Sequence, residues 1–353
     1  MATAIAATLK GLRVTVLDCR TPPIEKACGE GLVPSAVSSM NGLGIQLDSR
    51  HGRPFRGISF SDQESSASAS VPTGMGCGVR RSTLHSLLVE RATEVGVSFR
   101  WGVHVSEIDR EGAWADGIRF SCKWLVGADG QNSLVAKWAG LSSGRSRLSR
   151  FGFSRHYAAR PWSDLVEVYW GAGCQMFVTP TAADEVCVAL LSHDPQLRID
   201  RGLMHFPQVA KHLEGAQART AELGNVTALG RARGVVRGNM ALVGDASFTV
   251  DGIAGLGLSL SFQQAIFLAE ALAMDDLAHY EVAHRNLTKA PWRMTRLLLL
   301  MDQSEVVRRK VLRLFARKPS VFSKLMSAHL AQDAREALQA SEILGLSWQV
   351  LLA

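Results

Sequence analysis

The chain has 353 residues, room for one large or two modest domains, and its 47% hydrophobic and 20% charged residues are those of a globular protein with a real core. No window approaches the roughly 18 unbroken apolar residues of a membrane span, and the alanine-rich opening reaches Lys10 too soon for a secretory signal. The +7 formal charge is concentrated: between Arg285 and Lys324 eleven Lys and Arg face only Asp302 and Glu305, so the rest of the chain is close to neutral, and no nucleic-acid-binding fold accompanies the basic stretch.

In chain order, the opening "MATAIAATLKGLRVTVLDCR" reads as a helix, a tight turn and a β-branched buried strand closing on Asp18. Pro22, Pro23, Gly29 and Gly31 then mark a loop, followed by a short helix. The stretch from Arg53 to Gly74 reads as an edge hairpin with a polar tip. "RRSTLHSLLVERATEVGV" places Leu84, Leu87, Leu88 and Ala92 at helical spacing, with Gly96 as its stop. Paired strands follow and end in "WLVGADG". Between about Arg147 and Arg237, short alternating runs predict an antiparallel sheet, with a helical patch near Leu203–Leu223. "NMALVGDASFTVDGIAGLGLSLSF" returns to a buried strand, a glycine-rich loop and a long helix, and the remainder is helical and basic. Six scattered cysteines show no C-x-x-C pair and no metal-ligand spacing, as expected of reduced thiols in a cytoplasmic protein.

Three pieces carry chemistry. Asp18, at a strand end, can accept hydrogen bonds from ribose hydroxyls, or simply cap and solvate that end. "VGADGQNS" delivers Asp129 and Gly130 to a turn with Ser133 beyond it. Glycine there permits close backbone approach to a ligand, although a plain strand–turn–helix corner fits equally well. "GDASFTVDGIAGLG" leads through Gly244, Asp245, Gly255, Leu256 and Gly257 into a helix, whose amino end offers N–H donors and a positive dipole to an electron-rich group.

Together these pieces resemble the FAD-dependent monooxygenase and geranylgeranyl-reductase superfamily with the para-hydroxybenzoate hydroxylase fold. "GADGQNS" is similar to its second FAD motif and "GDASFTVDGIAGLG" to its third. "KACGEGLVP" resembles the CGE loop of the reductase-like branch, and "RRSTLHSLL" the R-x-x-L-x-x-x-L helix. The resemblance implies an α/β fold, with a Rossmann-like FAD-binding domain over residues 1–50, 76–145 and 236–278. An antiparallel substrate domain would span 51–75 and 146–235, and a helical region 279–353. It further implies that Asp18 holds the adenosine ribose and that Arg81 lies near the pyrophosphate or ribityl chain. Asp129 and Gly130 would serve FAD and the nicotinamide donor, and Asp245, after Gly244, a ribityl hydroxyl. Gly255, Leu256 and Gly257 would approach the flavin edge, with Cys28, Gly29 and Gly31 beside the ring.

The sequence departs from the family in two places. Where members carry an Arg after the Ser of the second motif, this chain has Ala136 and then Lys137. The first strand and its G-x-G-x-x-G turn do not precede Asp18, so the native start is expected upstream of Met1, with a degenerate cofactor-free relative as the alternative.

The antiparallel block supplies His156 as a candidate acid–base group, or as an ordinary structural histidine. The implied activity is NAD(P)H-dependent hydroxylation or epoxidation of an aromatic, polyketide-like or isoprenoid small molecule. Flavin-dependent reduction of carbon–carbon double bonds is the alternative, and a non-catalytic binding module the third reading. The basic 285–324 segment reads either as a peripheral membrane contact or as a helix packed on the body with a solvated face.

Overall fold

Alanine loses no side-chain entropy in a helix and allows close packing, and "ATAIAATL" forms α1 (Ala2–Leu9), with Ala4, Ile5, Ala6 and Ala7 buried. A computed structural model describes residues 1–70, 74–143 and 149–330; the portions of the expected domains over 71–73, 144–148 and 331–353 lie outside the described residues. After Gly11, whose φ of +86° closes the turn, β1 (Thr15–Asp18) runs out to Asp18. Helix α2 (Pro34–Gly42) begins with Pro at a position that has no N–H to satisfy.

The hairpin β2 (Gly57–Ser61) and β3 (Ser66–Ser70) comes next, then α3 (Arg81–Glu94), which buries Leu84, Leu88 and Ala92. Strand β4 (Ser98–Trp101) pairs in parallel with β1, a partnership its alternating pattern did not announce. Strand β5 (Leu125–Gly127) leads to α4 (Leu134–Trp138).

The long strands β6 (Ser149–Tyr157), β7 (Leu165–Trp170), β8 (Cys174–Ala182) and β9 (Glu185–Ser192) form the antiparallel block. Short helical turns over Ile199–Gly202 and Pro207–His212 follow, and the chain is already extended by β10 (Leu223–Ala228), so the helical patch is shorter than the sequence predicts. Strand β11 (Met240–Leu242) pairs in parallel with β5, Gly127 opposite Leu242, so the loops after these two strands emerge side by side. Helices α5 (Gly257–Ala273), α6 (Leu277–Gln303), α7 (Glu305–Arg317) and α8 (Pro319–Leu330) complete the described chain.

The principal sheet has seven strands in the order β10-β6-β9-β8-β7-β2-β3. The hairpin joins it through parallel pairing of β2 with β7, so an early segment becomes one edge of the later sheet. Every residue of β9 is buried, because both faces of the sheet are covered. One face packs Phe153, Met176, Val188 and Leu190 against Ile199 and Phe206. The other receives the C-terminal helices, where Phe60 packs on Trp170 and Phe322, and Phe322 stacks on Phe315. Each such aromatic contributes about 1.5–3 kcal/mol by burial, which explains why the basic tail folds back onto the body. The result is an α/β fold in which two parallel strand pairs and a large mixed sheet meet around the β1–α2 loop.

Candidate cofactor and active site

The β1–α2 loop carries "KACGEG". Within it Glu30 is buried and holds φ +60°, a conformation uncommon outside glycine that must be held by its contacts. Its Oε1 accepts the backbone N–H of Arg81, the first residue of α3, at 2.7 Å, so a carboxylate sits at a helix amino end. Its Oε2 meets Nε2 of His156, near the end of β6, at 2.5 Å. The other imidazole nitrogen, Nδ1, lies 3.2 Å from the Thr220 hydroxyl, so both ring nitrogens are engaged.

Two thiols flank this pair. Cys28 donates its backbone N–H to Ser154 Oγ and its sulfur accepts the Glu30 N–H, while the Cys187 thiol donates to the Cys28 carbonyl. Burial pushes both thiols up, Cys187 well above its ordinary value, so both are neutral. Glu30, His156 and Cys187 thus bring a carboxylate, an imidazole and a thiol within 4.8 Å of one another. Two of those three ligand atoms already satisfy each other, and positions 30, 156 and 187 follow no metal-ligand spacing. The pair opens on a cleft lined also by Lys26, Arg80, Arg81 and Ser154. Arg80 is fixed by Glu185: burial raises that carboxyl, but the Arg80 hydrogen bonds outweigh it and hold it below its ordinary value.

The loop after β11 reaches the same region. Asp245 is partly exposed and its Oδ2 lies 3.7 Å from Lys26 Nζ. Behind it, Gly244 (φ +63°) donates its N–H to Gln264 Oε1 at 2.6 Å, and Ser247 Oγ donates to the Gly244 carbonyl. That network leaves Ser247 Oγ to accept from His284 Nε2 at 3.0 Å; burial lowers His284 to about 4, so it braces the loop as a neutral ring.

The next turn is capped by Asp251, whose Oδ1 accepts the Ile253 N–H, and Gly255 takes φ +65° before α5 begins. No side chain caps α5, and the N–H groups of Gly257, Leu258 and Ser259, in its first turn, have no partner within the helix. Ser259 Oγ and Ser35 Oγ, 2.7 Å apart, tie this helix start to α2 beyond the Cys28 loop.

Asp251 is itself held from the sheet. Arg150 on β6 is 1% exposed; its Nη2 donates to Gln175 Oε1 at 2.6 Å, Nη1 lies 3.2 Å from Asp302 Oδ2, and Nε lies 3.9 Å from Asp251 Oδ1. Burial raises Asp251 against the pull of Arg150. On α6, Asp302 also accepts from Gln175 at 2.5 Å and pairs with the more exposed His193 at 2.7 Å.

The sequence-predicted residues therefore fall into three groups. Arg81 and His156 line the cleft, Cys28 is tied to its lining residues Ser154 and Glu30, Gly29 and Gly31 flank Glu30 in the chain, and Asp245 is joined through Lys26. Asp18 lies with Arg81 near His85, whose imidazole is lowered by burial and then by the Arg81 cation, with Asp18 opposing. Asp129, on the loop beside that of Asp245, has its carboxylate engaged locally: it accepts from Ser133 Oγ at 2.5 Å and from the Leu134 N–H at 2.7 Å, serving the start of α4. Gly130 beside it, at φ +83°, faces open space.

A family model described as FAD binding domain matches residues 1–276. The chain belongs to this FAD-binding family. Among curated relatives, menaquinone reductase of Mycobacterium tuberculosis H37Rv is 24% identical over 304 residues, spanning 78% of this chain and 74% of the relative. A flavoprotein/dehydrogenase from Cytophaga hutchinsonii shares the fold with a TM-score of 0.79 at 16% identity, over 94% of this chain and 90% of that one. A geranylgeranyl bacteriochlorophyll reductase-like protein from Thermoplasma acidophilum does so with a TM-score of 0.72 at 16% identity, over 98% and 91%. The protein is an FAD-dependent oxidoreductase.

The residues present suit FAD. A Cβ at Gly255 or Gly257 would meet nothing within 4 Å, so this loop presents bare backbone to open space, next to the uncapped N–H groups of α5. Those donors match the electron-rich edge of an isoalloxazine, and the Asp245 carboxylate matches a ribityl hydroxyl.

Sequence reasoning missed Glu30, Lys26, Thr220 and Arg150. Glu30 did leave a signal, as an acid set between glycines in "CGEG". Arg150 left none, since its partners come from α6 and from the Asp251 turn.

Proposed function

We propose that the protein reduces a carbon–carbon double bond in an isoprenoid or other lipid-like organic molecule, with FAD as cofactor and NAD(P)H as electron donor. The observation that carries this reading is the buried Glu30–His156 pair at the cleft beside the Cys28 loop. Saturating a double bond needs a hydride at one carbon and a proton at its neighbour. Bound FAD, once reduced, supplies the hydride. The proton needs a protein source, because a buried apolar substrate excludes water.

Glu30 Oε2 and His156 Nε2 hold one proton between them at 2.5 Å. The Arg81 N–H and the Thr220 hydroxyl fix the outer ends of the pair, so the shared proton has a defined position. The neutral Cys28 and Cys187 thiols keep that side of the cleft uncharged. Lys26, Arg80 and Arg81 place positive charge at the mouth, suited to the phosphates of FAD or of the nicotinamide donor. Flavin-dependent hydroxylation needs little acid–base help, so a buried proton-holding pair favours reduction over oxygenation. The menaquinone reductase relatives support a lipid-like substrate.

The deciding experiment is turnover of the FAD-loaded protein with NADPH and a panel of isoprenoid quinones and polyprenyl lipids, without oxygen and in air. Anaerobic product gaining two hydrogens supports reduction. Product gaining one oxygen atom, with oxygen consumed in step, replaces it by the hydroxylation or epoxidation reading.

A further inference from the structure

The basic character of the tail is divided between two helices in very different ways. On α7, Arg309 and Arg313 both pair with Glu64 at the tip of the β2–β3 hairpin, Arg309 also pairs with Glu305, and Arg308 is buried. Those cations clasp the helix to the body. On α6, Arg285, Lys289, Arg293 and Arg296 are exposed, and none meets a carboxylate among the described residues. Lys289 donates only to the neutral Asn286 side chain.

At 100° per residue these four positions and Leu300 fall within an arc of about 80°, forming one stripe roughly 22 Å long. Like charges three and four residues apart destabilise a helix by about 0.2–0.5 kcal/mol per pair, so the stripe is unfavourable until something outside neutralises it. Leu300 is 48% exposed at its end and Val306 67% exposed just beyond. Trp292 lies half-buried at its flank, with the exposed Arg231 guanidinium 5.3 Å from the ring.

We propose that this α6 stripe docks the protein on an anionic lipid surface. A row of unneutralised cations on one helix, flanked by an amphipathic indole and ending in exposed aliphatic side chains, matches lipid phosphates above an acyl boundary. It lacks the concave basic groove with aromatic platforms that single-stranded nucleic acid requires. No described helix is long and apolar enough to cross a membrane, so the contact is interfacial. The docking stands independently of which reaction the cleft performs.

The test is co-sedimentation of the purified protein with vesicles of phosphatidylcholine alone, and with about a third of the lipid replaced by phosphatidylglycerol, at low and at about 0.15 M salt. Binding is expected only with the anionic vesicles and should weaken steeply with salt. The variant R285Q/K289Q/R293Q/R296Q should bind about a thousandfold more weakly, since each cation near the surface is worth about 1 kcal/mol. R309Q/R313Q should stay within about threefold of the parent, because those cations are already neutralised. Circular dichroism of each variant checks that it is folded, and the salt dependence of the unaltered protein is independent of any substitution. No binding to anionic vesicles at low salt would overturn the proposal. So would equal binding by the four-site variant, or duplex DNA binding at a salt where vesicles do not.

Discussion

Glu30 and His156 come from segments 126 residues apart, yet Oε2 of one and Nε2 of the other lie 2.5 Å apart inside the protein. The contact joins the cofactor-side loop to the sheet expected to cover the substrate. Glu30 pays for it with a left-handed backbone.

If this pair delivers the proton, Glu30→Gln and His156→Gln should each slow product formation by about 100- to 10,000-fold, the usual worth of a positioned acid–base group. Anaerobic stopped-flow absorbance separates the two half-reactions. Bleaching of the flavin by NADPH should stay within a few-fold of the parent, and its substrate-driven return should be lost. Equal loss of both phases would mean that the pair only supports the fold.

Arg150 is shared between two buried carboxylates, Asp302 and Asp251. Arg150→Met is expected to cost about 3–5 kcal/mol, because it leaves buried charge without its partner. Arg150→Met/Asp302→Asn should recover part of that loss. Urea unfolding measures both, and a double variant no more stable than the single one would show that packing rather than charge governs the site.

His284 makes a pH prediction. Its imidazole is lowered by burial from 6.5 to about 4, so the folded protein resists protonating it more than the unfolded chain does. The stabilisation is complete above about pH 6.5, falls as the pH drops toward 4 while the unfolded state takes up the proton, and is flat below, totalling about 3 kcal/mol. His284→Gln should remove about one proton's worth of slope between those values. Denaturation at several pH values gives the difference, and parallel curves would exclude His284 as the cause.

Gly255 holds φ +65° with open space where a Cβ would stand. Gly255→Ala should therefore cost only about 1–2 kcal/mol of backbone strain, with no clash. If the loop faces the flavin, the same change should weaken FAD binding about tenfold, equivalent to about 1.4 kcal/mol. Flavin fluorescence titration reads this, and unchanged affinity would place the cofactor elsewhere.

Much of this arrangement was legible in the residues. The glycine-rich loop after β11, the turn after β5 and the α3 helix were readable because each is local: a buried strand, a turn residue with a fixed conformational need, a helical period. The β1–β4 parallel pair was not, since alternation reports which face is buried and is silent about the neighbour. His156 showed only that an imidazole stood in a strand; its role depends on Glu30, which the topology brings from the loop after β1. Asp129 was readable as a strand-end acid, but the sequence could not reveal that its oxygens would be taken up by α4. The tail's charge could be counted but not apportioned, because Glu64, which pairs with Arg309 and Arg313 of α7, lies in a distant hairpin.

Helix α6 spans 27 residues, about 40 Å, with Pro291 near its middle. Its outer surface carries the cationic stripe, while inward it lends His284 to the brace behind Asp245 and Asp302 to the Arg150 hub behind Asp251. The two loops that would touch FAD are thus hung from the same beam that would rest on lipid. A displacement of this helix would reach both loops at once, and any coupling between lipid contact and FAD would by linkage be equal in both directions.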